Sequence, residues 1–109
     1  MYTITLNTLL RCIEVKLEGL CSLDEFNAFV GDLRMAITTF PGFGPPPTTL
    51  YDFTGATIQT QEVVSAMKAL AENPAMARRR VAMYTEGVLA RRQARRICEN
   101  RTNMFVFES

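Results

Sequence analysis

Apolar and polar residues alternate twice near the start of the chain. Tyr2, Ile4 and Leu6 alternate with Thr3 and Thr5, and then Ile13, Val15 and Leu17 alternate with Glu14, Lys16 and Glu18. A period of two predicts strands with one wet face, and Asn7 and Thr8 between the runs predict the turn of a hairpin. The period then lengthens. Ser22 and Glu25 have the spacing of a capping box, in which each side chain satisfies an orphan amide of the other's backbone. Behind it Leu23, Phe26, Val30, Leu33 and Ile37 recur at steps of three and four, with Asp24, Glu25, Asn27, Asp32 and Arg34 on the other side. That pattern predicts a helix whose stripe faces a core.

The run from Phe40 to Pro47 reads FPGFGPPP and excludes helix and central strand, because proline lacks a donor and fixes φ. Beyond this stiff loop, Leu50, Tyr51 and Phe53 predict a short buried strand. Thr60 is placed to cap a helix carrying Val63, Val64, Met67, Leu70 and Ala71, closed by Asn73 and Pro74. Val81 to Tyr84 predict a fourth strand, residues 88–99 a third helix, and Met104 to Phe107 a last strand. Strands separated by helices run parallel, since a crossover returns the chain to the same end of the sheet. The expected fold is therefore α/β, a single domain over residues 1–109 in the order β-β-α-β-α-β-α-β. Its sheet is five-stranded, mixed and mostly parallel, with an N-terminal hairpin and about three helices. In such a sheet the strand carboxyl ends and the following helix N-termini collect ligand-facing groups. Here that rim runs over residues 52–60 and 85–88.

Composition narrows the chemistry. The 109 residues include no His, no Trp and three Ser (Ser22, Ser65 and Ser109), and no Gly-rich phosphate fingerprint occurs, which removes most catalytic arrangements. A chain of this length buries roughly 65% of its unfolded surface and folds without a staple. Cys12, Cys21 and Cys98 are odd in number and lack ligand spacing, so neither a disulfide framework nor a zinc site is expected. No run is long and apolar enough for a membrane span, and the first basic residue, Arg11, comes too late for a signal peptide, so the expected location is cytoplasmic. The net charge of +1 is unevenly spread: about −4 over residues 1–77 and about +5, all arginine, over residues 78–109.

The order of elements, with Asp52, Thr54 and Gly55 in the turn before the second helix, resembles the STAS domains of anti-sigma-factor antagonists and sulphate transporters. It looks closest to their shorter bacterial STAS-like cousins, particularly from Leu89 to Arg96 (LARRQARR) and in Phe105, Val106 and Phe107. STAS antagonists usually carry an Asp-Ser-Ser-Gly run at the second helix, where a serine is phosphorylated to release a partner kinase. Those positions here read Thr60, Gln61, Glu62 and Val63, so the phosphoserine switch motif is not intact, and Glu62 instead sets a fixed negative charge in that first turn. The resemblance implies a regulatory binding module rather than a reaction, acting on a protein partner or by self-association as a homodimer.

Candidate sites follow. On a wheel of about 100° per residue, Leu89, Ala90, Gln93, Ala94, Ile97 and Cys98 fall on one half of the third helix and Arg91, Arg92, Arg95 and Arg96 on the other. Such a stripe can grip carboxylates or phosphates bidentately, though a solvated face helped by the helix dipole is the plainer reading. Near-neutral charge and the lack of interleaved aromatics argue against nucleic acid. Thr57 and Thr60 lie where a helix N-terminus welcomes a phosphoryl group, and N-capping is the simpler role. Asp52 is expected to tie down its turn rather than act as acid or base. Phe40 and Phe43 either present apolar surface to a partner, lid an apolar cavity, or fold back over the sheet. Met35, Met67, Met76 and Met83 are expected to fill gaps in the core. Without His, a cysteine nucleophile is poorly supported, with Cys98 beside Arg95 the one to watch. The leading expectation is a non-enzymatic protein-interaction module without cofactor or metal. The alternative is a domain holding a small apolar or anionic ligand between the sheet and a mobile helix.

Overall fold

In the computed structural model the elements are β1 (Tyr2–Asn7), β2 (Cys12–Leu17), α1 (Leu23–Thr38), β3 (Thr48–Asp52), α2 (Gln61–Glu72), β4 (Val81–Thr85), α3 (Val88–Cys98) and β5 (Met104–Glu108). The structure describes residues 1–42, 44, 46–73, 80–99 and 104–108. The sheet order is β1-β2-β3-β4-β5, with β1 antiparallel to β2 and every later pair parallel. This is the expected mixed sheet.

That order has a consequence for the layers. Crossovers between parallel strands are right-handed, and here each moves one position in the same direction, so α1, α2 and α3 must all lie on one face. The burial pattern agrees. Ile13, Val15 and Leu17 of β2, Thr49 and Tyr51 of β3, and Val81, Met83 and Thr85 of β4 are buried, at alternate positions. They meet Phe26, Phe29 and Leu33 of α1, Val63, Val64, Met67 and Ala71 of α2, and Ala94, Ile97 and Cys98 of α3 in one core.

The other face has no helix over it among the described residues. Register builds two rows across it. Thr5, Glu14, Leu50, Ala82 and Phe105 form the first, and Thr3, Lys16, Asp52, Tyr84 and Phe107 the second. The face therefore grades from hydroxyls and charges at β1 and β2 to aromatic rings at β4 and β5, where Tyr84 stacks on Phe107 at 5.5 Å.

Local signals held in part. Ser22 caps α1, its Oγ accepting from the Glu25 amide at 3.0 Å. The reciprocal half of the capping box does not form, because the Glu25 carboxylate pairs with the Met1 ammonium at 3.1 Å. The core stripe of α1 includes Phe29, whereas Val30 and Ile37 are only partly buried. In β3 the buried residues are Thr49 and Tyr51, and Leu50 belongs to the other face, as strand alternation requires. Met67 and Met83 fill core as expected, but Met35 is 64% exposed, and Met76 lies outside the described residues.

Candidate functional site: an apolar cleft under a polar rim

The rim at the strand carboxyl ends is built on Gln59, a residue the sequence reading passed over. It is 8% exposed. Its Oε1 accepts from the Cys21 amide at 2.8 Å, and its Nε2 donates to the carbonyls of Gly19 at 3.0 Å and Thr57 at 2.6 Å. Its backbone joins α3 through a reciprocal pair: the Gln59 amide donates to Gln93 Oε1 at 3.0 Å, and Gln93 Nε2 donates to the Gln59 carbonyl at 2.9 Å. The Gln59 side chain thus ties the segment after β2 to the segment after β3, and the Gln59 backbone ties both to α3 through Gln93. The signal in the sequence was Gln93, a polar residue on the apolar half of α3.

The predicted rim residues take structural parts around this hub. Asp52 holds the turn after β3, its Oδ1 accepting from the Thr54 hydroxyl at 2.6 Å and the Thr54 amide at 3.0 Å. The hydroxyl bond, and then the amide bond, hold its carboxyl below the ordinary carboxylate range, while partial burial opposes them. Thr60 caps α2, its Oγ1 accepting from the Val63 amide at 3.3 Å. Thr57 is exposed, with its carbonyl given to Gln59. Glu62 is exposed in the first turn of α2, where a negative charge suits the helix dipole. Phe40 folds back: it packs against the core, with the Arg11 guanidinium 5.1 Å over its ring. Phe43 lies outside the described residues.

Beneath the rim, between the sheet and α1 and α2, lies an apolar cavity of about 40 Å³. Its walls include Leu17 and Tyr51 from the sheet, Phe26 and Phe29 from α1, and Met67 and Ala71 from α2. Tyr51 is 6% exposed and packs its ring against Phe29 and Phe53, while its hydroxyl has no hydrogen-bond partner among the described residues. Burial pushes this phenol well above its ordinary value, with Cys98 adding to the effect, so it stays protonated. The other phenol on the wall, Tyr2, donates to Asp32. A second cavity of about 20 Å³ lies nearer α3 and is lined in part by Gln59 and Gln93.

On α3 the buried residues are Ala94, Ile97 and Cys98. Leu89 is 61% exposed, so it lies with the arginines and not, as the wheel suggested, with the core. Arg92, Arg95 and Arg96 are exposed and Arg91 is half-buried at the border. Arg96 donates to Gln61 Oε1 at 3.0 Å. Cys98 turns away from this face, its thiol 3.7 Å from Met83 Sδ. Among the described residues no three His, Cys, Asp or Glu side chains converge as metal ligands, and no helix is long and apolar enough to cross a membrane.

The architecture is that of a known fold. A solved structure, an uncharacterised protein of the DUF3478 family with a SpoIIAA-like fold from Shewanella loihica PV-4, matches it with a TM-score of 0.70. The match covers 99% of this chain and 86% of that one at 17% sequence identity. No family model and no curated protein matches the sequence. The fold is thus SpoIIAA-like, that is, STAS-like.

Proposed function

We propose that the chain is a non-enzymatic binding domain of STAS-like fold whose cleft between the sheet, α1 and α2 takes up a small apolar molecule or the apolar end of a larger one. The cavity carries this reading. Protein cores are packed like organic crystals, and a void of about 40 Å³ left empty costs roughly 1 kcal/mol. Its size exceeds the roughly 10–15 Å³ that admits a water, but its walls offer a water too few polar partners. An apolar guest suits it better, with the unpartnered Tyr51 hydroxyl as a hydrogen-bond handle for a polar atom on that guest. Asp52, the strand-end carboxylate best placed for acid–base work, is engaged in its turn and is a weak base, which supports binding over catalysis. Regulation through a protein partner is the second reading, favoured by Arg92 and Arg95, exposed cations that make no ion pair among the described residues.

Filling the cavity from within tests the first reading. Ala71, 6% exposed on the cavity wall, is changed to leucine, and xenon, an apolar probe small enough for the void, is dissolved at rising pressure into both proteins while amide shifts are followed. The native chain should show saturable shifts centred on Tyr51, Phe29 and Met67, and Ala71→Leu should lose them while gaining up to about 1 kcal/mol of stability. A variant destabilised by about 1–3 kcal/mol, as in an overpacked core, together with no saturable shifts in the native chain, would remove the cleft from consideration.

A further inference from the structure

We infer that the outer edge of β5 is a docking site for an extended acidic segment of a partner protein, which adds to the sheet as a sixth strand. This is independent of the cleft. β5 is the last strand of the sheet, so its outward amides and carbonyls have no neighbouring strand among the described residues. Its sequence, MFVFE, carries no proline or lysine, and Phe105 and Phe107 stand 44% and 47% exposed on the open face. An edge of that kind recruits another strand.

Charge selects the occupant. At about 100° per residue, Gln93 and Arg96 point from α3 toward α2, where their partners Gln59 and Gln61 lie, and Ala94 and Cys98 point to the sheet. The remaining flank, away from α2 and above the β5 edge, carries the exposed Arg95. The helix holds four arginines and no acid. An added strand would present alternate side chains to two environments: the Arg95 guanidinium on the helix side and phenyl rings on the open side. The matching segment alternates acidic and apolar residues. A second copy of this chain is a poor occupant, because two-fold pairing of β5 with β5 would bring the two arginine flanks together. Single-stranded nucleic acid is disfavoured because the acids of the aromatic face, Glu14 and Asp52, lie in the same rows as Phe105 and Phe107.

The probe is a capped peptide of about seven alternating glutamates and valines, long enough to span the five residues of β5. Titrated into the full chain at low salt, it should shift the amides of residues 104–108 and protect them from exchange. Arg95→Glu, at an exposed position that the fold does not need, should weaken binding by about tenfold or more. The same peptide N-methylated along one edge, or with lysine in place of glutamate, should not bind. Equal binding of the lysine or N-methylated peptide would overturn the inference. So would an Arg95→Glu affinity within about twofold of the native chain. Concentration-dependent dimers protected at residues 104–108 would give the edge to a second copy, and oligouridylate binding lost in Arg95→Glu would give the arginines to nucleic acid. Either result excludes the acidic strand. Xenon uptake is unaffected by Arg95→Glu on this reading, so failure here leaves the cleft standing and the reverse also holds.

Discussion

Helix α2 has a neighbour on each side, and its two seams are built from different chemistry. Toward α3 the seam is cross-linked: Gln59 with Gln93, Gln61 with Arg96, and Lys68 with Glu99. Lys68 also holds the Glu99 carboxyl below its ordinary range. Toward α1 no hydrogen bond or ion pair joins the helices among the described residues, and the larger apolar cavity lies between them, the smaller one lying at the α3 seam. Directional bonds fix a register and resist sliding, whereas an apolar seam with a gap resists little. A guest entering the cleft would therefore part α1 from α2, with α1 still held to the start of the first strand through Asp32 and Glu25, and leave α2, α3 and the rim as one body.

The largest way to break this contrast is to remove its hub. Gln59→Ala orphans the buried Cys21 amide and the Thr57 carbonyl and leaves the Gly19 carbonyl to the Thr57 amide alone, and losses of this type cost about 1–3 kcal/mol for each group left unsatisfied. Because some of these groups can reach water, a total near 3 kcal/mol is expected in urea unfolding. Gln93→Ala should cost less, and the double variant less than the sum, since the two side chains share one network. A loss below about 0.5 kcal/mol, the range of an ordinary surface change, would show that the rim is not held by this pair. Hydrogen exchange sharpens the same contrast without mutation. Amides of α1 should open about tenfold more often than those of α2 and α3, and equal protection would mean that the two seams are equally firm.

The sequence disclosed what depends on local pattern. The hairpin, the three helices, the Ser22 and Thr60 caps and the Asp52 turn each rest on residues close together in the chain, so spacing alone revealed them. What it did not disclose is set by where elements land. Leu89 sits at the border of its helix face, and only the directions of α2 and of the sheet decide that it points to solvent. Thr49 is 0% exposed because strand alternation places it with Tyr51, although hydropathy favours Leu50. Gln59 becomes the hub of the rim only after three distant segments converge on it. The cavity was legible least of all, since a void is a property of how Phe29, Met67 and Ala71 fail to meet.

The smallest expected effect concerns the turn that leads from β3 into the cross-linked rim. The Thr54 hydroxyl, then the Thr54 amide, lower the Asp52 carboxyl, with Lys16 contributing and burial opposing. A folded-state value below the unfolded one means that the unfolded chain binds the proton more readily as the solution is acidified. The contribution is therefore complete above the usual carboxylate range near about 4 and is lost as pH falls through the folded-state value. Asp52→Asn keeps an acceptor for Thr54 but removes the charge, so it should cost under about 1 kcal/mol at neutral pH. Urea unfolding at a series of pH values should show the gap between native and variant proteins closing below the carboxylate range. A gap that stays constant with pH would mean that shape rather than charge holds the turn. The tie between β3 and the rim would then rest on Gln59 and on the backbone bond from the Gly19 amide to the Gly55 carbonyl at 3.0 Å.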